Sequence, residues 1–164
     1  MEISEKHVEA KSLSTYIYNK GNAKLGDALV NFIYSLAKTI VSGIPTGVKV
    51  ADSILTEAYK GSLWRKNKTL SITGKKGRVA DAIEALILYF WTYEELTIKD
   101  LVNPIIEYLE PESFHHPREE YSSAVFSFQN LLDNLYQKFI KANLSKNEKN
   151  EKNEKNEKNS YNLE

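Results

Sequence analysis

One stretch of the sequence, Arg78 to Trp91, constrains the fold more than any other. Its apolar residues recur at helical spacing, and alanine and leucine fill most of the intervening positions, so the pattern predicts a helix buried on nearly every side. Two acids, Asp81 and Glu84, lie inside this run and share one side of the helix. Because a buried carboxylate is costly without a positive partner, a basic side chain, backbone amides or a metal ion should lie beside them.

The two acids also fit a purely structural interpretation. Asp81-Ala-Ile-Glu84 has the spacing of a capping box, in which Asp81 is the N-cap and Glu84 reaches back to its backbone N–H. Spacing alone leaves the capping box and a ligand site equally supported. A second motif is needed to decide between them.

Helical periodicity extends over most of the chain, and no segment reads as a convincing strand. A sustained amphipathic pattern runs from Leu25 to Val41, with Asp27 off its apolar stripe and in line with Asn31. Taken alone, Asp27 is an ordinary acid near the start of a helix. Further helices are predicted at residues 48–59, at residues 97–108 and from Pro117 onward. The sequence therefore predicts an all-α domain of five to seven helices over residues 1–143.

Residues 144–164 have a different character. Lys-Asn-Glu repeats from Lys146 to Asn159 without an apolar residue, and a three-residue period matches no helix or strand that faces a core. Nothing in this segment can offset the entropy of ordering it. We predict a disordered C-terminal tail.

Composition limits the class of protein. The chain of 164 residues has no cysteine, which excludes a disulfide framework, and its 22 basic and 22 acidic residues balance. A globally basic nucleic-acid binder is excluded, although a local basic track is not. No apolar run is long enough to cross a membrane, and the polar N-terminus is not a signal peptide, so we expect a cytoplasmic protein without a membrane partner.

The most uneven charge lies between Lys60 and Arg78. This segment contains seven basic residues and no acid, with Gly74 and Gly77 near its end. A solvated basic loop would explain such a run on its own, but here it leads directly into the two acids of the apolar helix. Carboxylates that hold a cation, flanked by cations that hold a polyanion, are what a metal-dependent phosphodiester site requires. The candidates for phosphate contacts are Arg65, Lys66, Lys75, Lys76 and Arg78.

Two segments carry a resemblance to a known family. Leu25-Gly-Asp-Ala-Leu-Val30 resembles the signature of ribonuclease III, and Ala80-Asp-Ala-Ile-Glu-Ala-Leu-Ile87 resembles its second motif at every fixed position. The order of the motifs agrees with the family, and the basic segment falls where the family has one. The resemblance covers about residues 13–108.

The resemblance implies a fold, a chemistry and a partner. Asp27, Asp81 and Glu84 would be metal-binding carboxylates at the ends of two facing helices. They would hold Mg²⁺, or alternatively Mn²⁺, which activates a water and stabilises the leaving oxygen during hydrolysis of double-stranded RNA. The family also implies a homodimer in which each protomer cuts one strand.

Two departures from the family pattern affect this interpretation. Ala23 stands where the full signature has a metal-binding glutamate, as it does in the short Mini-III branch. In addition, nothing after Asn143 resembles the RNA-binding domain that follows the catalytic domain in bacterial ribonuclease III. The chain therefore resembles a catalytic domain that stands alone.

Three functions follow from these observations. The leading prediction is a dimeric, metal-dependent endoribonuclease that acts on double-stranded or structured RNA. The first alternative is a ribonuclease III fold that binds RNA or the ribosome with weak catalysis or none, because Ala23 removes a ligand. The second is a helical interaction module without nucleic acid. The aromatic cluster at residues 89–93 favours a dimer surface, although the same residues could fill the core of one protomer.

Overall fold

The computed structural model describes residues 10–160, with side chains described for residues 13–145. This part of the chain contains α-helices and one short 3₁₀ helix, and no strand, which confirms the all-α prediction. The helices are α1 (Ala10–Ile17), α2 (Lys20–Ser42), α3 (Asp52–Gly61), α4 (Leu63–Lys66), α5 (Lys76–Tyr93), α6 (Ile98–Ile106), the 3₁₀ helix (Pro111–His115) and α7 (Pro117–Ser160).

Helix α5 forms the centre of the domain. Helices α1, α2, α3 and α7 all pack against it. From Val79 to Phe90 every residue except Asp81 is buried. The prediction of a helix buried nearly all round is confirmed, and its own chain covers it. Tyr89 and Phe90 lie in the core of one protomer, whereas Trp91 and Tyr93 remain 40% and 43% exposed.

Helix α2 begins earlier than the sequence pattern suggests. The side chain of Asn19 caps it, because Oδ1 accepts the backbone N–H groups of Gly21 (2.8 Å) and Asn22 (3.1 Å). Residues 20–27, which have the composition of a turn, are therefore helical. As a result Asp27 lies two turns inside the helix rather than at its end, and the expectation that the motif acids sit at helix ends is wrong for this residue.

The segment from Gly43 to Ala51 links α2 to α3 and lies along α2. Three polar side chains of the helix, each four residues apart, bond the segment's backbone. The N–H of Val50 donates to Asn31 Oδ1 (2.8 Å), that of Val48 to Ser35 Oγ (3.0 Å) and that of Thr46 to Thr39 Oγ1 (3.0 Å). These bonds keep residues 46–50 out of a helix, so α3 begins at Asp52 and not near Val48 as predicted.

The C-terminal half supports the core from the other side. Thr97 and Asp100 form a capping box at the start of α6. The indole N–H of Trp64, in α4, donates to the carbonyl of Leu132 in α7 at 2.9 Å, and this tryptophan is fully buried. These contacts hold the basic segment after α3 against the last helix.

Helix α7 continues through the Lys-Asn-Glu repeat to Ser160, whereas the sequence predicts disorder from residue 144. In the sequence, Glu148, Glu151 and Glu154 each precede a lysine by four residues, the order that favours an exposed helix by about 0.2–0.5 kcal/mol per pair. This charge pattern accounts for a helical backbone without an apolar face. Residues 161–164 lie outside the described part, and the domain boundary at residue 143 stays a prediction.

Candidate functional site

The two motif-bearing helices, α2 and α5, touch at Gly26. A Cβ atom on this residue would lie 2.3 Å from the carbonyl oxygen of Glu84 and 3.0 Å from the backbone nitrogen of Ala85. Only glycine permits so close an approach of the two backbones. The glycine of the first motif therefore brings the neighbouring Asp27 beside the second motif.

Asp27 is partly buried and held by two groups. Asn31 Nδ2, one turn further along α2, donates to Asp27 Oδ1 at 3.0 Å, which confirms that the two residues are in line. Lys49 Nζ, from the segment along α2, lies 3.9 Å from the same oxygen. Asp27 is thus fixed at the rim of the helix crossing, with one cation already close to it.

Glu84 is the most unusual group of the crossing. It is only 5% exposed, yet among residues 13–145 its carboxylate has no hydrogen bond and no ion pair. Burial, as the largest cause, raises the pKa of Glu84 from its usual 4.5 to about 8. Like charges contribute to the same shift, and one cation opposes it: Asp27, Asp81 and Asp52 raise the pKa, and Lys49 lowers it.

The capping-box interpretation of Asp81 and Glu84 is wrong. Helix α5 begins at Lys76 with Lys75 as its N-cap, and no side chain caps it. Asp81 therefore lies in the second turn, exposed, and Glu84 lies one turn further along the same side. Gly77 and Arg78 also belong to the helix, because the break in the chain comes earlier, at Gly74 with its φ of +134°. Both acids are free to face a ligand.

A fourth acid, Asp52, belongs to this neighbourhood, and the sequence reasoning missed it. It is the first residue of α3, and its negative charge reaches Glu84. A Cβ on Gly77 would lie 3.5 Å from Asp52 Oδ2, so the side chain stands over the first turn of α5. Asn31, Ser35 and Thr39 continue the line of Asp27 at four-residue intervals, but this pattern alone does not identify Asp52. We call Asp27, Asp52, Asp81 and Glu84 the carboxylate cluster.

Within residues 13–145, no three acidic or histidine side chains stand close enough together, as they are oriented, to hold a metal ion by themselves. The adjacent His115 and His116 are exposed at the end of the 3₁₀ helix. The carboxylate cluster is a region of converging negative charge rather than a closed coordination shell.

A basic groove lies beside the carboxylate cluster. It has a volume of about 320 Å³ and is lined by Lys60, Arg65 and Lys76, together with Thr73 and Gly74. Thr56 also lines it, and this residue's hydroxyl bonds the backbone carbonyls of Asp52 (2.8 Å) and Lys76 (3.2 Å). The predicted phosphate contacts Arg65 and Lys76 therefore come together next to the cluster.

The other predicted phosphate contacts are arranged differently. The guanidinium carbon of Arg78 lies 5.0 Å from the centre of the Tyr18 ring, a cation–π contact that orients it near the N-terminus of α5. Lys75 is exposed at that N-terminus. Lys66 instead faces α7, where its charge lowers the pKa of Asp133. Four of the five candidates thus lie around the basic groove or at the start of α5, and Lys66 does not.

Fold and site together define an all-helical domain with a buried acid among further carboxylates where two helices cross, and a basic groove beside it. Residues 20–142 match the sequence profile of the family described as Ribonuclease III. The match spans α2 to α7 and most of the chain, and the chain belongs to this family. A comparison with individual curated proteins found no match. Family membership identifies a ribonuclease-like protein.

None of the helices in the described part of the chain combines the length and apolar character needed to cross a membrane.

Proposed function

We propose that this protein is a divalent-metal-dependent endoribonuclease that hydrolyses phosphodiester bonds in double-stranded or structured RNA. The observation that carries the proposal is Glu84. It is nine-tenths buried, has no hydrogen bond or ion pair among residues 13–145, and is acted on by the charges of Asp27 and Asp81 from the two motif helices. Such an arrangement is unfavourable for folding alone, and a cation would make it favourable.

The chemistry of the donors fits Mg²⁺, with Mn²⁺ as an alternative. Mg²⁺ prefers oxygen ligands, keeps several of its waters, and usually binds through one or two carboxylates plus a substrate phosphate. A loosely grouped set of acids that is open to solvent on one side suits that mode better than a closed shell does. Asp27, Asp81 and Glu84 are the proposed ligands. When bound, such a cation lowers the pKa of a water and stabilises negative charge on phosphoryl oxygens.

The chain's own residues supply position and charge. Gly26 fixes the distance between the backbones of α2 and α5, and Asn31 holds the carboxylate of Asp27 by a hydrogen bond of 3.0 Å. Burial of Glu84 excludes water from one side of the cluster. These contacts fix the backbones that carry the carboxylates, and movements of the side chains together with the cation's own waters would complete the coordination.

The basic groove and the start of α5 would hold the RNA. Arg65, Lys76, Lys75 and Arg78 are exposed there, and their charges suit a phosphate backbone. Such contacts recognise the shape and charge of a duplex more than its sequence. An RNA substrate is consistent with the cytoplasmic location that the sequence predicts.

A homodimer is part of the proposal, and an exposed apolar surface on α2 supports it. Leu25, Phe32 and Ile40 are 58%, 52% and 55% exposed along one face of the helix, and Ile44 just beyond it is 66% exposed. A groove of about 450 Å³ adjoins them, lined by Phe32, Leu36 and Pro45 among others. Large apolar side chains that are exposed together in this way mark protein contacts. A second copy docked there would place two carboxylate clusters in one assembly.

The test is cleavage of a double-stranded RNA in the presence of Mg²⁺. The wild type should produce defined fragments, and Asp27→Asn and Glu84→Gln should not. Glu119→Gln, which removes an exposed acid from α7 far from the cluster in sequence, should cut at the wild-type rate. Equal cutting by all four preparations would indicate a contaminating nuclease and would contradict the proposal.

The chief alternative is an RNA-binding protein without catalysis, and Ala23 favours it. This residue is buried one turn before Asp27, and it offers no ligand where the family signature has one. Such a protein would bind duplex RNA with an affinity that falls steeply with salt and is indifferent to Mg²⁺. A helical interaction module, the second alternative, would bind no RNA at all.

A further inference from the structure

The segment along α2 has a register that extends beyond its three hydrogen bonds. Its residues 46, 48 and 50 bond helix residues 39, 35 and 31 in turn, so two extended residues pair with four helical ones. Two extended residues span about 6.7 Å. Four helical residues span about 6 Å. The two rises are nearly equal, so the pairing stays in step along the helix.

The next pair in this register is Asp27 with Asp52. Asp27 lies four residues before Asn31 on α2, and Asp52 lies two residues after Val50. The intervening segment is already directed to this point, because Lys49 Nζ lies 3.9 Å from Asp27 Oδ1. The ladder of hydrogen bonds therefore places Asp52 near Asp27, at the edge of the contact between α2 and α5.

Contacts with α5 place Asp52 from the other side. Thr56 Oγ1 lies 2.8 Å from the carbonyl oxygen of Asp52 and 3.2 Å from that of Lys76, which ties the first turn of α3 to the first turn of α5. Asp52 Oδ2 stands over Gly77, where any side chain would meet it. Gly77 shares one side of α5 with Asp81 and Glu84, at spacings of four and seven residues. Asp52 thus lies between the two motif helices.

Among residues 13–145, Lys49 is the one cation whose charge acts on Glu84, against three acids. In the part of the chain whose side chains are described, Asp52 has no ion pair and no side-chain hydrogen bond, and neither has Glu84, which is 5% exposed. A nine-tenths buried carboxylate without a partner, surrounded by three more acids, is an arrangement that a divalent cation stabilises. The exposed Lys49 shows that the cluster is accessible to cations from solvent, because its side chain is 75% exposed while its ammonium group lies close to Asp27.

We propose that Asp52 is a fourth carboxylate of the cation site, delivered by the register of the segment along α2. This role of Asp52 rests on the proposed function. It adds to that function a residue of α3 that binds the cation directly or through a water. It also gives the site a carboxylate from outside both motifs, in a chain where Ala23 contributes none.

The test measures binding of Mn²⁺ alone, without RNA, through the electron paramagnetic resonance signal of the free ion. Asp52→Asn should weaken Mn²⁺ binding, and loss of a carboxylate that orients a metal site typically costs about ten- to a hundredfold in affinity. Asp52→Glu, which keeps the charge, should bind Mn²⁺ more tightly than Asp52→Asn does. Asp52→Ser serves as a second neutral variant, since serine is well tolerated at helix starts.

Glu57→Gln is the matched control, because it removes one negative charge from the same helix without being among the acids that reach Glu84. Its Mn²⁺ affinity should equal that of the wild type. Wild-type affinity in both Asp52→Asn and Asp52→Ser, while Asp27→Asn binds weakly, would overturn the role of Asp52 and leave the proposed metal site intact. Absence of Mn²⁺ binding by the wild type would overturn the metal site itself, and the role of Asp52 with it.

Discussion

Two acids of this domain are removed from water, Asp133 partly and Glu84 almost completely, and their surroundings differ in charge. Asp133, where α4 meets α7, accepts the backbone N–H of Leu63 at 2.7 Å and feels the positive charge of Lys66. Glu84, where α2 meets α5, has three further acids around it and no hydrogen bond within residues 13–145. Burial raises both pKa values, but at Asp133 the neighbours oppose the shift and at Glu84 most of them add to it.

This difference separates a structural acid from a functional one. An acid retained for stability is surrounded by donors, because an unpaired buried carboxylate weakens the folded state. An acid surrounded by other acids is retained in spite of its cost, and such groups cluster at functional sites. The helix crossing at Gly26 therefore marks the functional part of the domain, and the contact of α4 with α7 marks part of its scaffold.

The largest expected effect is on catalysis. Glu84→Gln keeps the shape of the side chain and removes its charge, so Mg²⁺-dependent cleavage of duplex RNA should fall by about a thousandfold or more, as expected when a metal-centred stabilisation of several kcal/mol is lost. Asp133→Asn should cut at a rate close to that of the wild type. Single-turnover cleavage rates of the two variants test this difference. Similar losses of rate in both would contradict the distinction between Glu84 as the functional acid and Asp133 as the structural one.

A second prediction concerns the close approach that creates the cluster. Gly26→Ala places a Cβ 2.3 Å from the Glu84 carbonyl oxygen, where backbone and not a flexible side chain must move. We expect a loss of about 2–3 kcal/mol in the free energy of unfolding, typical of overpacking in a tight interface. Urea unfolding would measure it. Gly47→Ala is the control, because a Cβ there meets no atom within 4 Å, and equal stability of the two variants would contradict the close approach.

A third prediction breaks the scaffold contact instead. Asp133→Ala leaves the backbone N–H of Leu63 without its acceptor, so the free energy of unfolding should fall by about 1–3 kcal/mol. Asn134→Ala, at the neighbouring exposed position, should have a smaller effect. Chemical denaturation of the two variants tests the difference. An unchanged stability in Asp133→Ala would mean that the acid is not the structural partner that its contacts indicate.

The fourth and smallest effect is a pH dependence. Between pH 4.5 and about 8 the folded protein keeps the Glu84 proton while the unfolded chain has lost it, so this residue makes the folded state less stable as pH rises through that window. Glu84→Gln removes the effect. Without divalent cations, the variant should gain about 1 kcal/mol on the wild type between pH 5 and pH 6, since each pH unit inside the window corresponds to at most about 1.4 kcal/mol for one proton. Thermal melts at the two pH values test it, and parallel curves would contradict the raised pKa.

The sequence predicts the parts of the site that are encoded locally. Helical periodicity identifies α5 as buried nearly all round, and the two motifs single out Asp27, Asp81 and Glu84 before any contact is known. The start of a helix is harder to predict, because Asn19 caps α2 and converts a turn-like composition into helix. The same limitation left a capping box open for Asp81, although α5 begins at Lys76, well before it.

Asp52 could not be assigned in this way, since its place depends on contacts between distant segments. Asn31, Ser35 and Thr39 lie on α2, and the backbone that they bind comes 7 to 19 residues later in the chain. Hydrophobic periodicity contains no information about such side-chain to backbone pairs. The exposed stripe of Leu25, Phe32 and Ile40 was missed for a related reason, because α2 has apolar residues on more than its core side and only packing distinguishes them.

The hydrogen-bond ladder between α2 and the segment that follows it has an evolutionary consequence. Surface connections usually tolerate insertion or deletion of residues, because few contacts depend on their length. Here each second residue of the connection meets a fixed position on a helix, so inserting one residue would turn the opposite side of the segment toward α2 and displace Lys49 and Asp52 together. Among relatives that share the ladder, this connection should vary in composition at its outward positions and remain constant in length.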